Sequence, residues 1–220
     1  MMMSLFSVFD PVSYFGQVNW VVVLYFFIFF SNMFYLGGVG ALFMGFMFSS
    51  VDRFFSVLGA PHGSVISTVM VFVFVYIMME NVVGLFPFVF TCTAHPLITL
   101  GLGLVGWLMC FLMGWFKNFM FSAAHLVPAG SPLGLSFLLV LIESISHLIR
   151  PLTLSIRLAA NMMAGHLIIG LISSISKVSF ISGVLSVFMQ TVMLVLESGV
   201  AVVQGLVFSI LLTLYTIEYY

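Results

Sequence analysis

Glu143-Ser-Ile-Ser-His147-Leu-Ile-Arg150-Pro-Leu-Thr-Leu-Ser-Ile-Arg157-Leu-Ala-Ala-Asn161-Met-Met-Ala-Gly165-His166 is the stretch that decides the fold. It lies inside an otherwise apolar run from 133 to about 173. A run of that length makes about 60 Å of helix at 1.5 Å per residue, twice the hydrocarbon thickness of a bilayer. Such a helix tilts strongly, bends at Pro151, or breaks. From Glu143 the steps to His147, Arg150, Arg157, Asn161 and Gly165 are 4, 3, 7, 4 and 4. At about 100° per residue these positions fall within roughly 40° of one line, a polar stripe on an apolar cylinder. His166 falls about 100–140° off that stripe, on a flank that a second helix can meet. Along the axis, Glu143 stands about 21 Å to one side of Arg157 and His166 about 13 Å to the other.

The surroundings agree with a lipid solvent. Of the 220 residues, 63% are hydrophobic and only 5% charged, against about 25% charged in a soluble domain. Further runs of spanning length cover about 18–36, 65–86, 97–116 and 178–216. With 133–173 they predict an all-α integral membrane protein of about five transmembrane helices. The glycine-rich segment at about 41–58, with Asp52 and Arg53, reads as a helix lying along the surface. Pro128 and Pro132 break the chain before the fourth run, and the last two runs, joined by a short Ser-rich turn with Lys177, predict a tilted hairpin. The whole chain, 1–220, reads as one membrane domain without internal repeat or cleavable signal. Arg53, Lys117 and Arg150 share one side if the N-terminus is outside, with Lys177 opposite, which sets the C-terminus inside.

A net charge of −1 points to no nucleic acid. Cys92 and Cys110 have no ligand or redox spacing and read as small apolar packing residues, so neither metal nor cofactor is expected. Gln190, Ser144 and Ser146 read as helix-to-helix glue, and Arg150 as an interface anchor beside Pro151. Arg157 is different. An arginine at mid-bilayer costs about 2.5–3.5 kcal/mol even on lenient insertion scales, and no carboxylate on its own face lies within two turns. It therefore needs a partner from another helix or chain. Glu197 and Gln204 sit two turns apart on one face of the last run, beside Ser198, Gly199, Ala201 and Gly205, small residues that let helices approach closely.

The motif Arg157-Leu-x-x-Asn161-x-x-Ala-Gly165-His166 resembles the signature of the subunit a family of mitochondrial F-type ATP synthases. So does Glu197-Ser-Gly-Val-Ala-Val-Val-Gln204, with support from Asn81-Val-Val-Gly-Leu-Phe-Pro87, Ala124-His125-Leu-Val-Pro128 and the opening Leu5 to Pro11. The resemblance implies a non-catalytic proton-conducting subunit of the inner membrane. Its expected partners are a ring of c subunits, the peripheral stalk, the other membrane subunits and lipid. It implies that Arg157 faces the ring carboxylate. Asn161, His166, Glu197 and Gln204 would then line the intermembrane-space half-channel, Glu143 the matrix half-channel, and Glu218 would be a matrix-side acid. Glu80 and His147 depart from the family pattern. At two turns before Pro87, Glu80 fits either the headgroup level or a role in proton uptake.

The side chains suit such a task. Two half-channels that do not meet, joined by a moving carrier, carry protons without short-circuiting the membrane. His166 and Glu197 can relay, and Arg157, which releases no proton at a relevant pH, is a barrier rather than a relay. Rival readings are a haem-bearing subunit of a respiratory electron-transfer complex, a stand-alone transporter and a structural anchor. Haem wants histidines facing one another across helices, whereas His147 and His166 share one. A transporter would bring internal repeats, and an anchor gives no reason for Arg157.

Overall fold

Val39–Leu58 (α1), Ser64–Gly84 (α2), Pro96–Lys117 (α3), Phe119–His125 (α4), Ser136–Ile175 (α5) and Phe180–Tyr219 (α6) are the α-helices of the computed structural model. It describes residues 9–12, 18–24, 39–58, 64–86, 89–117, 119–125, 127, 134–176 and 179–219. Among these there is no strand. Short 3-10 turns cover Val18–Val21 and Cys92–Ala94. Most of the expected first span, 25–38, lies outside the described residues, as do Pro128, Pro132 and Lys177.

Four described helices, α2, α3, α5 and α6, are long and apolar enough to cross a membrane. The protein is an all-α membrane protein. Its helix α1 is not among the four; it carries Asp52 and Arg53 and packs on α2 and α6, burying Phe55. Helix α2 is central. Its buried positions Ser67, Met70, Phe74, Ile77 and Asn81 recur at three and four residues, the stripe of a helix facing a core. That face meets α6. At Gly205 an added Cβ would come within 3.4 Å of the Met78 backbone nitrogen, so glycine lets the two helices approach at backbone distance.

Helix α3 opens on Pro96, a residue suited to a first turn because its missing N–H would have no helical partner there. It packs against both α5 and α6. Gly103 sits against the Pro151 carbonyl and Ser155, and Gly106 against Leu212. Helices α5 and α6, 40 residues each, pack together as the long final pair. Helix α5 runs unbroken through Pro151. Proline cannot donate to the His147 carbonyl one turn back. Ser155 Oγ donates to the Pro151 carbonyl at 2.9 Å, bonding back to the preceding turn. Much of the outer face of the bundle is large and apolar, including Leu104, Met109, Phe116, Leu148 and Phe180, as a lipid environment requires.

Candidate proton path along the two long helices

The stripe read from the sequence is present on α5, but it does not face one environment. Leu154, Ser155, Leu158 and Met162 turn inward against the other helices. Arg157 and Asn161 lie on the opposite, exposed side. No carboxylate among the described residues forms an ion pair with Arg157. Ala160 and Ala164 are also exposed on this side and keep the surface beside the guanidinium low.

Toward the C-terminal end of α5, two polar contacts cross to α6. Asn161 Nδ2 donates to Gln204 Oε1 at 3.1 Å. Further along, His166 Nε2 stands 3.9 Å from Glu197 Oε1, with side-chain exposures of 15% and 7%. Both Glu197 oxygens and His166 Nε2 are buried and make no hydrogen bond among the described residues. A buried polar atom left this way costs about 1–3 kcal/mol, so such atoms concentrate where function retains them.

Glycine makes this contact fit. A Cβ on Gly165 would overlap Oε1 and Cδ of Glu197 and come within 3.0 Å of Oε2. The carboxylate thus lies across the bare backbone of α5. Asn81 of α2 donates to the Ala201 carbonyl at 3.3 Å, one turn along α6 from Glu197. The N-terminal segment also reaches this end. The Phe9 ring meets His166 edge-on at 6.4 Å between centroids, and the Phe9 carbonyl is 2.9 Å from His95 Nε2. Sequence reasoning gave no role to Asn81, Gly165 or Phe9. Asn81 and Gly165 stand in the motif stretches, which was the available signal; nothing in the sequence ties Phe9 to His166.

The other end of α5 holds a second cluster. Glu143 Oε1 lies 3.4 Å from His147 Nε2 and 3.8 Å from Arg150 Nη2. The Arg150 guanidinium sits over the Tyr215 ring of α6 at 5.5 Å. His147 is 4% exposed, on the edge of the stripe nearest the packed face. Glu218 is on α6, with its side chain outside the described part of the structure.

Glu80 is buried within α2 at 6% exposure. Cys92 is buried in the 3-10 turn, and burial first, the Glu80 charge second, push its thiol up to about 12, which suits an inert packing residue. Among the described residues, no three His, Cys, Asp or Glu side chains gather as metal ligands would.

A model of the ATP synthase A chain family matches residues 18–217. A protein of Artemia franciscana named ATP synthase subunit a is 39% identical over 221 residues, 99% of this chain and 100% of its own length. Its namesakes from Locusta migratoria and Aedes aegypti are 37% and 40% identical, each over at least 99% of both chains. End-to-end similarity at this level, on a helix pair that carries the Arg157 motif intact, leaves one assignment: the chain belongs to the ATP synthase A chain family.

Proposed function

We propose that Arg157 separates two proton half-channels, one through Asn161, Gln204, His166 and Glu197, the other through Glu143 with Glu218, and that a ring of c-subunit carboxylates carries protons between them. The chain is a multi-pass proton-translocating stator subunit of an F-type ATP synthase in the mitochondrial inner membrane. The respiratory electron-transfer alternative is not favoured by that family. The subunit itself is non-catalytic: ATP is made elsewhere in the complex. The peripheral stalk, the other membrane subunits and lipid complete its surroundings.

One observation carries the reading. Arg157 stands on the exposed side of α5, without a carboxylate of its own chain among the described residues, between two acid–histidine pairs. A guanidinium in lipid without a counter-charge is too costly to persist, so the acid that faces it comes from a partner. A ring carboxyl arriving there loses its proton to the path on one side. Having passed Arg157, it takes one up from the other. Each proton descending 100 mV releases about 2.3 kcal/mol, so several are needed for each ATP.

Arg157→Ala and Arg157→Lys test it in assembled complexes. Both abolish coupled ATP synthesis, the lysine because a buried ammonium can release its proton and the guanidinium cannot. Coupled synthesis at the normal rate in either variant refutes the role.

A further inference from the structure

We propose that His147 is a second proton-handling group on the Glu143 side, so that the imidazole and the Glu143 carboxylate work as one pair between the rotor and the water at that end. The inference rests on the reading above that Glu143 serves the matrix path, and it gives that path the chemistry of an imidazole.

Three observations carry it. His147 is 4% exposed, so its ring sits within the bundle rather than in bulk water. Its Nε2 faces Glu143 Oε1 at 3.4 Å, while the Glu143 side chain is 39% exposed and so reaches outward from the buried ring. Pro151 cannot donate to the His147 carbonyl, which concentrates polarity at this turn of an otherwise apolar helix. A histidine retained here only for packing would be a poor choice, since a leucine fills similar space without a polar edge.

The neighbours narrow the role. On its own helix the charged groups are Glu143 and Arg150, whose Nη2 lies 3.8 Å from the same carboxylate oxygen. From α6 comes Tyr215, under the Arg150 guanidinium. The 3-10 turn Cys92–Ala94 meets α5 at the Met162 level, so Cys92 and His95 belong to the other end. Arg150 never releases a proton and cannot relay. An imidazole is the side chain whose chemistry suits proton exchange near neutral pH.

The chemistry is proton transfer only. During synthesis a proton leaving a rotor carboxyl binds the pair, and the pair releases it to water as hydronium. In ATP-driven pumping the same steps run backwards, and there the imidazole matters most. As a class, carboxyls are almost wholly ionised near neutral pH, whereas imidazoles take up and release protons there. A histidine in the path therefore keeps uptake fast when the matrix side is alkaline.

The test is ATP-driven pumping by the whole complex in inner-membrane vesicles with the matrix face outward, at bath pH 6 to 8.5. Rates for His147→Gln and His147→Asn are normalised to assembled complex. The expected result is pumping within twofold of the unmodified complex at pH 6, falling to a fifth or less of it at pH 8. A profile parallel to the unmodified one, a uniform loss at all pH, or failure of both variants to assemble overturns the proposal and leaves His147 a structural residue. Arg157→Ala, run alongside, separates the two claims. If it still pumps, the half-channel reading fails; if it does not while the His147 variants follow the unmodified profile, only the His147 inference fails.

Discussion

Replacing Gly165 by alanine adds one methyl group at the contact between the two long helices. In most helix interiors this change is favourable by about 1 kcal/mol, because glycine loses more backbone freedom on folding. Here the methyl group would occupy the space of the Glu197 carboxylate, with Oε2 at 3.0 Å and Oε1 and Cδ nearer still. Carbon and oxygen need roughly 3.5 Å, so the carboxylate must retreat by more than about 1 Å. It is the far end of a flexible side chain, so the fold absorbs the retreat. The proposed proton contact does not: the His166–Glu197 separation of 3.9 Å must change, and a misplacement of about 1 Å can cost up to a hundredfold in rate. Gly165→Ala is expected to assemble normally on a native gel and to lower proton flux through the membrane sector about 10- to 100-fold. Adding Glu197→Asp, which shortens the acid by one methylene, restores part of the flux. Normal flux in the single variant, or no recovery in the double one, would refute a relay built on this close approach.

Gln204→Leu removes the acceptor of the Asn161 amide; because Asn161 is exposed, the stability cost stays within about 1.5 kcal/mol, while flux falls several-fold at unchanged subunit content. Gly103→Val acts through packing instead. Its Cβ would meet the Ser155 Cβ at 3.1 Å and the Pro151 carbonyl at 3.3 Å, so α3 must move away from α5, and the yield of assembled complex in a detergent extract falls while the Arg157 motif is untouched.

The membrane class was legible because length and composition leave few choices: a 40-residue apolar helix with isolated charges has no soluble solution. The stripe on α5 was legible for the same reason, since helical periodicity depends only on sequence spacing. What spacing could not give is which edge of the stripe turns inward. His147 and Arg157 lie within a few tens of degrees of one line, yet one is buried and the other exposed, because α3 and α6 cover one flank of α5 and no described residue covers Arg157 on the other. Contacts between distant segments were equally out of reach. Asn81 to Ala201 joins residues 120 apart, and His95 to Phe9 residues 86 apart. Each depends on helix order and register, which one sequence leaves open.

The arrangement itself bears on why a rotor is needed at all. The two acid–histidine pairs stand on either side of Arg157 along α5, about 15 Å away at His147 and about 13 Å at His166. Between them, Leu154, Leu158 and Met162 fill the packed side of the helix with no titratable group. Among the described residues of this face of α5, no titratable side chain links one pair to the other. The exposed side, where Arg157 stands, is the remaining route, and there a fixed positive charge repels a bare proton. On the proposed reading, a proton crosses that level only as part of a neutral carboxyl, bound to something that moves past the surface. Coupling then follows from what α5 omits, and a leak would follow from a titratable residue at 154 or 158. Leu158→His, assembled and assayed without ATP, should conduct protons passively; an assembled complex that stays tight would mean that the barrier lies elsewhere.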